Sequence, residues 1–452
     1  MRAYWSGRAA QQRAFEWRER YAARAVVRQE PLRKGPKARA QALAFRREVR
    51  DALSNNPRWP RPRAALAVDL AFDTSERQPP QLWHLPKNYL DLLGSTGAPP
   101  SDPGALLYRD DRQVKLLFAS VHHGWERAGR RAPSILISAR TRTDALYVMD
   151  LASRLAERRG SPRLGWQDDP FADDLDTSRE DLRTADVLWR RGDVESRHVA
   201  EVMRHHVRRR GQEALLSGND DWLTTAVVGN ARRLLIGVDP RDVEAVKAAR
   251  VLGLEGGITP EVQATFARRM LTGLNGIALP PLPTARGQGA SFKTEVDRIC
   301  AEYVADRPGL FPLVVPLRVT VLVVPPDRDR RSAADLDNVL IRVLGAVDAH
   351  MKPPISPWLL GPLPPPGLVI AGRDARDWKT EGLERAKSLG STSVWAYQIL
   401  ELARLPTDPP GGQVMLVLGN GMNHDSLWGQ AANYVREQFE RDEDELADFD
   451  FS

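Results

Sequence analysis

Cysteine is almost missing from this chain: one residue, Cys300, in 452. A single thiol closes no intrachain disulfide and supplies no Cys cluster for structural zinc or an iron–sulfur centre. Long apolar runs are missing too. The most apolar stretch, residues 310–324, is interrupted by Pro312, Pro316 and Arg318 and is too short to span a bilayer. The N-terminal arginines Arg2, Arg8, Arg13, Arg18 and Arg20 are not followed by the apolar run and small-residue cleavage site of a secretory signal. The expectation is therefore a reduced, cytoplasmic protein without membrane partners. No phosphate-cradling Gly-x-x-x-x-Gly-Lys loop occurs, so an ATP-driven motor is not supported. The histidine pairs His122-His123 and His205-His206 are adjacent, not at the i, i+4 spacing that turns two imidazoles to one helical face.

What is present is ordinary globular composition with an uneven charge distribution. Hydrophobic residues make up 42% of the chain and charged residues 27%, enough apolar surface for a sizeable core, and the length suits two to four domains. Residues 1–63 hold 15 Arg and 2 Lys against 5 acids; with a net charge of +6 overall, the remainder carries −6. Clustered arginine suits phosphate contacts, because its planar fork matches phosphate geometry. Arg33, Lys34 and Lys37 are candidate contacts in this segment. Trp17 and Tyr21, four apart, share a helix face that serves either a core or base stacking. At the other end, Glu437, Glu440, Asp442 to Glu445, Asp448 and Asp450 read as a solvated acidic tail.

Two distant stretches share one apolar pattern. The first has a helix-like run around Phe45 to Val49, a strand at 64–72, a helix at 85–93 and a strand at 113–121. The second has a helix opening at Phe292, a strand at 317–324, a helix at 335–347, a strand at 394–402 and a last strand at 413–418. Residues 165–280 lose strand character and show helical periodicity. Asp239-Pro240 and Thr259-Pro260 there place a capping residue before a proline suited to the first helical turn. Residues 353–366 read as a long loop.

The sharpest local signal is Pro325-Pro-Asp-Arg-Asp-Arg-Arg-Ser-Ala-Ala-Asp-Leu-Asp-Asn338, a basic loop between strand and helix. Asp335 and Asp337 converge there on one ion or, read differently, serve as an N-cap and a first-turn charge. Together with Ala278-Leu-Pro-Pro281, Tyr397-Gln-Ile-Leu-Glu-Leu402 and Pro410-Gly-Gly-Gln-Val-Met-Leu-Val-Leu418, this ordered set resembles the RusA family of Holliday junction resolvases over about residues 276–420, apart from an extra loop near 353–390. The resemblance implies small α+β units acting as homodimers, which bind four-way DNA and cut it with Mg²⁺. It also implies a site made of DxDN at a helix start, a Lys four residues after the second Asp, an Asp four further on, and Asp-Asp before a Gln-bearing strand.

Each copy carries part of that pattern. The second keeps Asp335, Asp337 and Asn338, but its Lys position is Ile341, beside Arg342, and its Asp-Asp position before Gln398 is Trp395-Ala396. The first has Gln81 and Trp83 at the DxD positions and His84 at the Asn position, yet keeps Lys87, Asp91, and Asp110-Asp111 before Gln113. The resemblance thus names Asp335, Asp337, Lys87, Asp91, Asp110 and Asp111 as catalytic candidates, four of them (Asp335, Asp337, Asp110, Asp111) as Mg²⁺ ligands. Arg328, Arg330, Arg331 and Arg342 join Arg33, Lys34 and Lys37 as DNA contacts. Three arrangements remain open: a composite site across the halves or between chains, a DNA-binding pseudo-dimer with little or no catalysis, and a nicking enzyme using only the Asp335 and Asp337 half, with Arg342 in place of the Lys and an acid of the extra loop such as Asp374 or Asp377.

The expected fold is α+β. Two RusA-like mixed α/β domains form an intrachain pseudo-dimer around an all-α insert: 1–160 with its basic extension, 161–275 helical, 276–425, and 426–452 as a helical segment with the acidic tail. The expected partner is branched or duplex DNA, with further homo-oligomerisation open.

Overall fold

The computed structural model describes residues 2–449 except 62, 77–79, 96–97, 103, 124–131, 160–170, 253–257, 273–275, 284–287, 328–335, 352–358, 360, 362, 371 and 392. The chain is mixed α+β, built around an eight-stranded mixed sheet. Its strands are β1 (Ala23–Val27), β2 (Leu66–Thr74), β3 (Val114–His123), β4 (Ser134–Thr141), β5 (Ile277–Leu279), β6 (Leu317–Val324), β9 (Val394–Glu401) and β10 (Gln413–Asn420). A separate hairpin pairs β7 (Val369–Ile370) with β8 (Arg373–Asp374).

The strand order is β1-β4-β2-β3-β9-β6-β10-β5. From one edge inward, β1 pairs antiparallel with β4, β4 antiparallel with β2, and β2 parallel with β3. From the other edge, β5 pairs antiparallel with β10, β10 antiparallel with β6, and β6 parallel with β9. The two series meet at an antiparallel β3–β9 joint, where Phe118 lies opposite Gln398. Even an irregularity recurs: the β2–β3 register shifts just after Leu66–Val114, and the β6–β9 register just after Leu317–Val394.

Helices cover both faces. On the first lie α2 (Pro36–Leu53), α3 (Leu85–Leu93), α10 (Gln288–Ala305) and α11 (Leu336–Met351), around a core that includes Phe45, Leu70, Leu93, Val296, Val321 and Val343. Helix α2 forms because Pro36 presets its first turn and Ala38, Ala42, Phe45 and Val49 recur at helical spacing on the buried side. The second face is packed by α1 (Arg2–Arg20), α4 (Arg142–Arg158), α6 (Val194–Gly229), α7 (Ala231–Leu235), α9 (Pro260–Thr272) and α13 (Leu427–Phe449), through Phe15, Met149, Leu223, Leu235, Leu271 and Trp428. Sandwiched between these layers, β6 buries all eight of its residues, as a doubly covered strand must. Helices α5 (Phe171–Arg191) and α8 (Pro240–Val251) complete the stretch from 171 to 272, in which no strand occurs among the described residues. Asp239 caps α8 through the N–H of Arg241, as its sequence predicts.

Three expectations change. Strands β1 and β4 complete the first half, where only two strands were anticipated. Part of the region taken as an inserted loop is helix α12 (Ala375–Ser391). The acidic end is no free tail up to 449 but the last turns of α13, where Asp442 pairs with Arg8 and, at 3.2 Å, with Arg159. No helix among the described residues is long and apolar enough to cross a membrane.

Candidate functional site

Register identifies which residues correspond between the halves. Since Leu66–Val114 and Leu317–Val394 open equivalent ladders, residue 113 corresponds to Ser393. Gln398 corresponds to Phe118, its cross-strand partner. The sequence alignment of Gln113 with Gln398 was therefore five residues out. Gln398 spends its amide on Thr320 Oγ1 at 2.8 Å, within the second face of the sheet. Gln113 instead clamps a turn: its Oε1 accepts from the N–H of Arg109 and Asp110, and its Nε2 donates to the carbonyls of Arg61 and Ala64.

That turn holds two of the expected acids. Asp110 is the N-cap of a short 3₁₀ turn (Asp111–Gln113) and accepts from the N–H of Arg112 at 2.9 Å. This backbone bond holds its carboxyl below the usual carboxylate range. Asp110 is exposed and Asp111 half-buried.

Helix α3 carries the next pair. Lys87 Nζ lies 3.8 Å from one carboxylate oxygen of Asp91, and Lys34 Nζ lies 2.5 Å from the other. Just upstream, His84 is held below the ordinary imidazole value by burial and by the nearby charge of Arg33. Arg33, Lys34 and Lys37 are all exposed. The structure thus gathers Arg33, Lys34 and Lys87 around the start of α3, with Asp91 as the acid among them. Trp83, at the second DxD position of this half, is only 4% exposed and belongs to the core.

Gln81, at the first DxD position, crosses to the other half. Its Nε2 donates to Asp348 Oδ2 on α11 at 3.2 Å. Asp348 Oδ1 accepts from both the N–H and the hydroxyl of Ser393, at 3.1 and 3.0 Å. This buried acid joins α11, the start of β9 and the turn before α3. Sequence reading passed over Asp348 because nothing in the apolar helix pattern around it marks a bridging acid.

In the second half, the Arg342 guanidinium packs where a Cβ on Gly289 would fall, so it lies against the start of α10. Asp337 lies in the first turn of α11. Its side chain, with Arg328, Arg330, Arg331 and Asp335, lies outside the described residues. Among the described residues no group of three His, Cys, Asp or Glu side chains is placed to hold a metal ion. Of the described acids of the first half, Asp110 caps a turn and Asp91 is shared by two lysines.

Many N-terminal arginines are engaged internally. Arg46, fully buried, donates to Asp102 at 2.9 Å and to the carbonyls of Leu92 and Gly104. Arg58 lies over the rings of both Trp17 and Tyr21, at 4.0 and 4.2 Å. Arg18 stacks on Tyr147, and Phe15 packs against Phe439. The Trp17–Tyr21 face therefore already holds an arginine.

Comparison with known proteins finds no matching family model, no matching curated protein and no matching solved structure.

Proposed function

We propose that this chain is a fused, RusA-like pseudo-dimer that binds branched DNA, with its first half serving as scaffold and phosphate contact. One observation carries the reading: the strand order and pairing sense repeat outward from a single antiparallel joint at Phe118–Gln398. The family resemblance implies homodimers, and two matched halves in one chain are what fusion of such a dimer leaves behind. Arg33, Lys34, Lys37 and Lys87 supply the phosphate contacts of the first half, where cations displace condensed counterions from the duplex.

A second reading, Mg²⁺-dependent phosphodiester hydrolysis, rests on Asp335 and Asp337 alone. It is favoured by the place of Asp337, in the first helical turn after a central strand. There the ion would supply charge neutralisation and an activated water. This reading leaves Asp110 and Asp91 to their local contacts.

The test is equilibrium binding of a fluorescent four-way junction, followed by incubation with Mg²⁺. Binding is expected to weaken in K34E/K37E, with a shallower dependence of log K on log salt. If cleavage occurs, D337N abolishes it and D110N leaves it intact. Loss of cleavage in D110N would restore the composite site, and unchanged binding in K34E/K37E would remove this surface from the interface.

A further inference from the structure

We propose that the cavity between α5, α6 and residues 309–314 is a binding site for an aliphatic anion, a straight alkyl chain ending in a carboxylate or phosphate. The proposal is independent of the DNA-binding reading.

The cavity has a volume of about 840 Å³, within the roughly 300 to 1,000 Å³ range of small-molecule sites. Its walls are aliphatic: Leu182 from α5, Val207 and Leu215 from α6, and Leu310 and Val314 from the facing segment. Leu182 and Leu215 are 41% and 45% exposed, so apolar surface is left facing this space. The two walls are fixed to each other by Gln212. Its Nε2 donates to the carbonyls of Leu310 and Pro312, at 2.7 and 2.9 Å, and its Oε1 accepts from the N–H of Val314 at 2.8 Å.

Gly211 adds an independent observation. It sits inside a 36-residue helix, where glycine costs about 0.8 to 1 kcal/mol relative to alanine. A Cβ there would meet no atom within 4 Å, so packing within the protein does not require glycine. What the missing side chain leaves open is the cavity that Gly211 lines, and Gly309, equally unobstructed, lines the opposite wall.

The chemistry of the occupant follows from the lining. Among the described lining residues there is no Phe, Tyr or Trp, the one ring being the His205 imidazole, and the amide of Gln212 is engaged by the facing backbone. A nucleobase would find no broad stacking platform and no free amide edge, whereas an alkyl chain needs neither. At the rim stand Arg204, His205 and Arg208 with one acid, Glu201. Arg204 is paired with Asp186 at 2.7 Å, and the charge of Glu201 acts on His198. Arg208 is exposed, and no hydrogen bond or ion pair engages it among the described residues. A carboxylate or phosphate head placed at this rim meets that cation while its chain lies on the leucine and valine walls.

Calorimetric titration of the full chain with laurate, dodecyl phosphate, dodecylamine and dodecyl maltoside tests the assignment. One-to-one saturable binding of laurate or dodecyl phosphate is expected, and the tighter of the two identifies the head group. Arg208→Glu should weaken that binding about tenfold or more, and Arg208→Lys should largely retain it. Gly211→Leu should abolish it. Gly211→Ala, which meets no neighbour, should raise the melting temperature and thereby show that substitution at 211 leaves the fold intact. Absence of saturable binding, dodecylamine binding as tightly as laurate, or affinity untouched by Arg208→Glu would overturn the proposal.

Discussion

A buried guanidinium is tolerable only when its donors are used, and Arg46 shows how that is met. It is 0% exposed, its charge faces Asp102, and it gathers the carbonyls of Leu92 and Gly104. Asp102 also pairs with Arg50 at 2.5 Å, and the two arginines hold its carboxyl at about 2. Arg46→Met should cost about 3 kcal/mol or more in urea unfolding, because it strands buried carbonyls and half of an ion pair. A cost under about 1 kcal/mol would show that the loop closes over the loss. Asp220 presents the opposite case: burial against the sheet raises its carboxyl to about 6, opposed by Arg318 3.9 Å away. The folded state then holds this proton more tightly than the unfolded chain, whose aspartate titrates near the ordinary 3.8. The contribution of Asp220 to stability is full below that value and declines as pH rises through about 6. Unfolding free energies of the parent and Asp220→Asn, compared at about pH 4 and about pH 7, should differ in their pH dependence in that direction. Parallel profiles would contradict it.

Elements were legible where one physical signal dominated. Strand β6 stands out because eight successive residues are buried and six of them are aliphatic, and α3 has both bounds where its leucine spacing sets them. β1 was not legible: its five residues alternate buried and exposed, with Arg24 and Val26 on the open side, inside a segment whose arginine content drew attention to phosphate. β4 is longer, but only its pairing to β1 and β2 reveals a strand shared by both. Helix α12 follows a proline-rich stretch and is mostly polar, so it read as loop. The candidate site was legible as residue types and wrongly aligned at Gln398, because a repeated glutamine outweighed the equivalent strand starts at Val114 and Val394. Asp348 was invisible, since its role is fixed by Gln81 and Ser393, which reach it from distant sequence. Asp348→Ala should destabilise the chain by about 2 kcal/mol, measured by urea unfolding, by leaving the buried N–H of Ser393 without an acceptor. Ser393→Ala, which keeps that N–H bonded, should cost distinctly less. Asp110→Ala should cost about 1 kcal/mol as the loss of an N-cap.

At the scale of the whole molecule, the opposite charges of the two chain ends partly answer each other. Arg8 of α1 pairs with Asp442 of α13 and lies 4.4 Å over the ring of Phe439. The N-terminal excess of arginine is thus divided between internal pairing and an exposed group at Arg33, Lys34 and Lys37. The sheet itself is continuous through both halves, so whatever binds one half is held in fixed register with the other. A ligand with two equivalent arms matches such an arrangement better than a linear one. The most direct measurement is the affinity for a four-way DNA junction against linear duplex of equal length, taken over a series of salt concentrations. The account predicts junction binding about tenfold or more tighter at the same salt, with log K falling linearly against log salt. Equal affinity for both DNAs, or no salt-dependent binding of either, would contradict it.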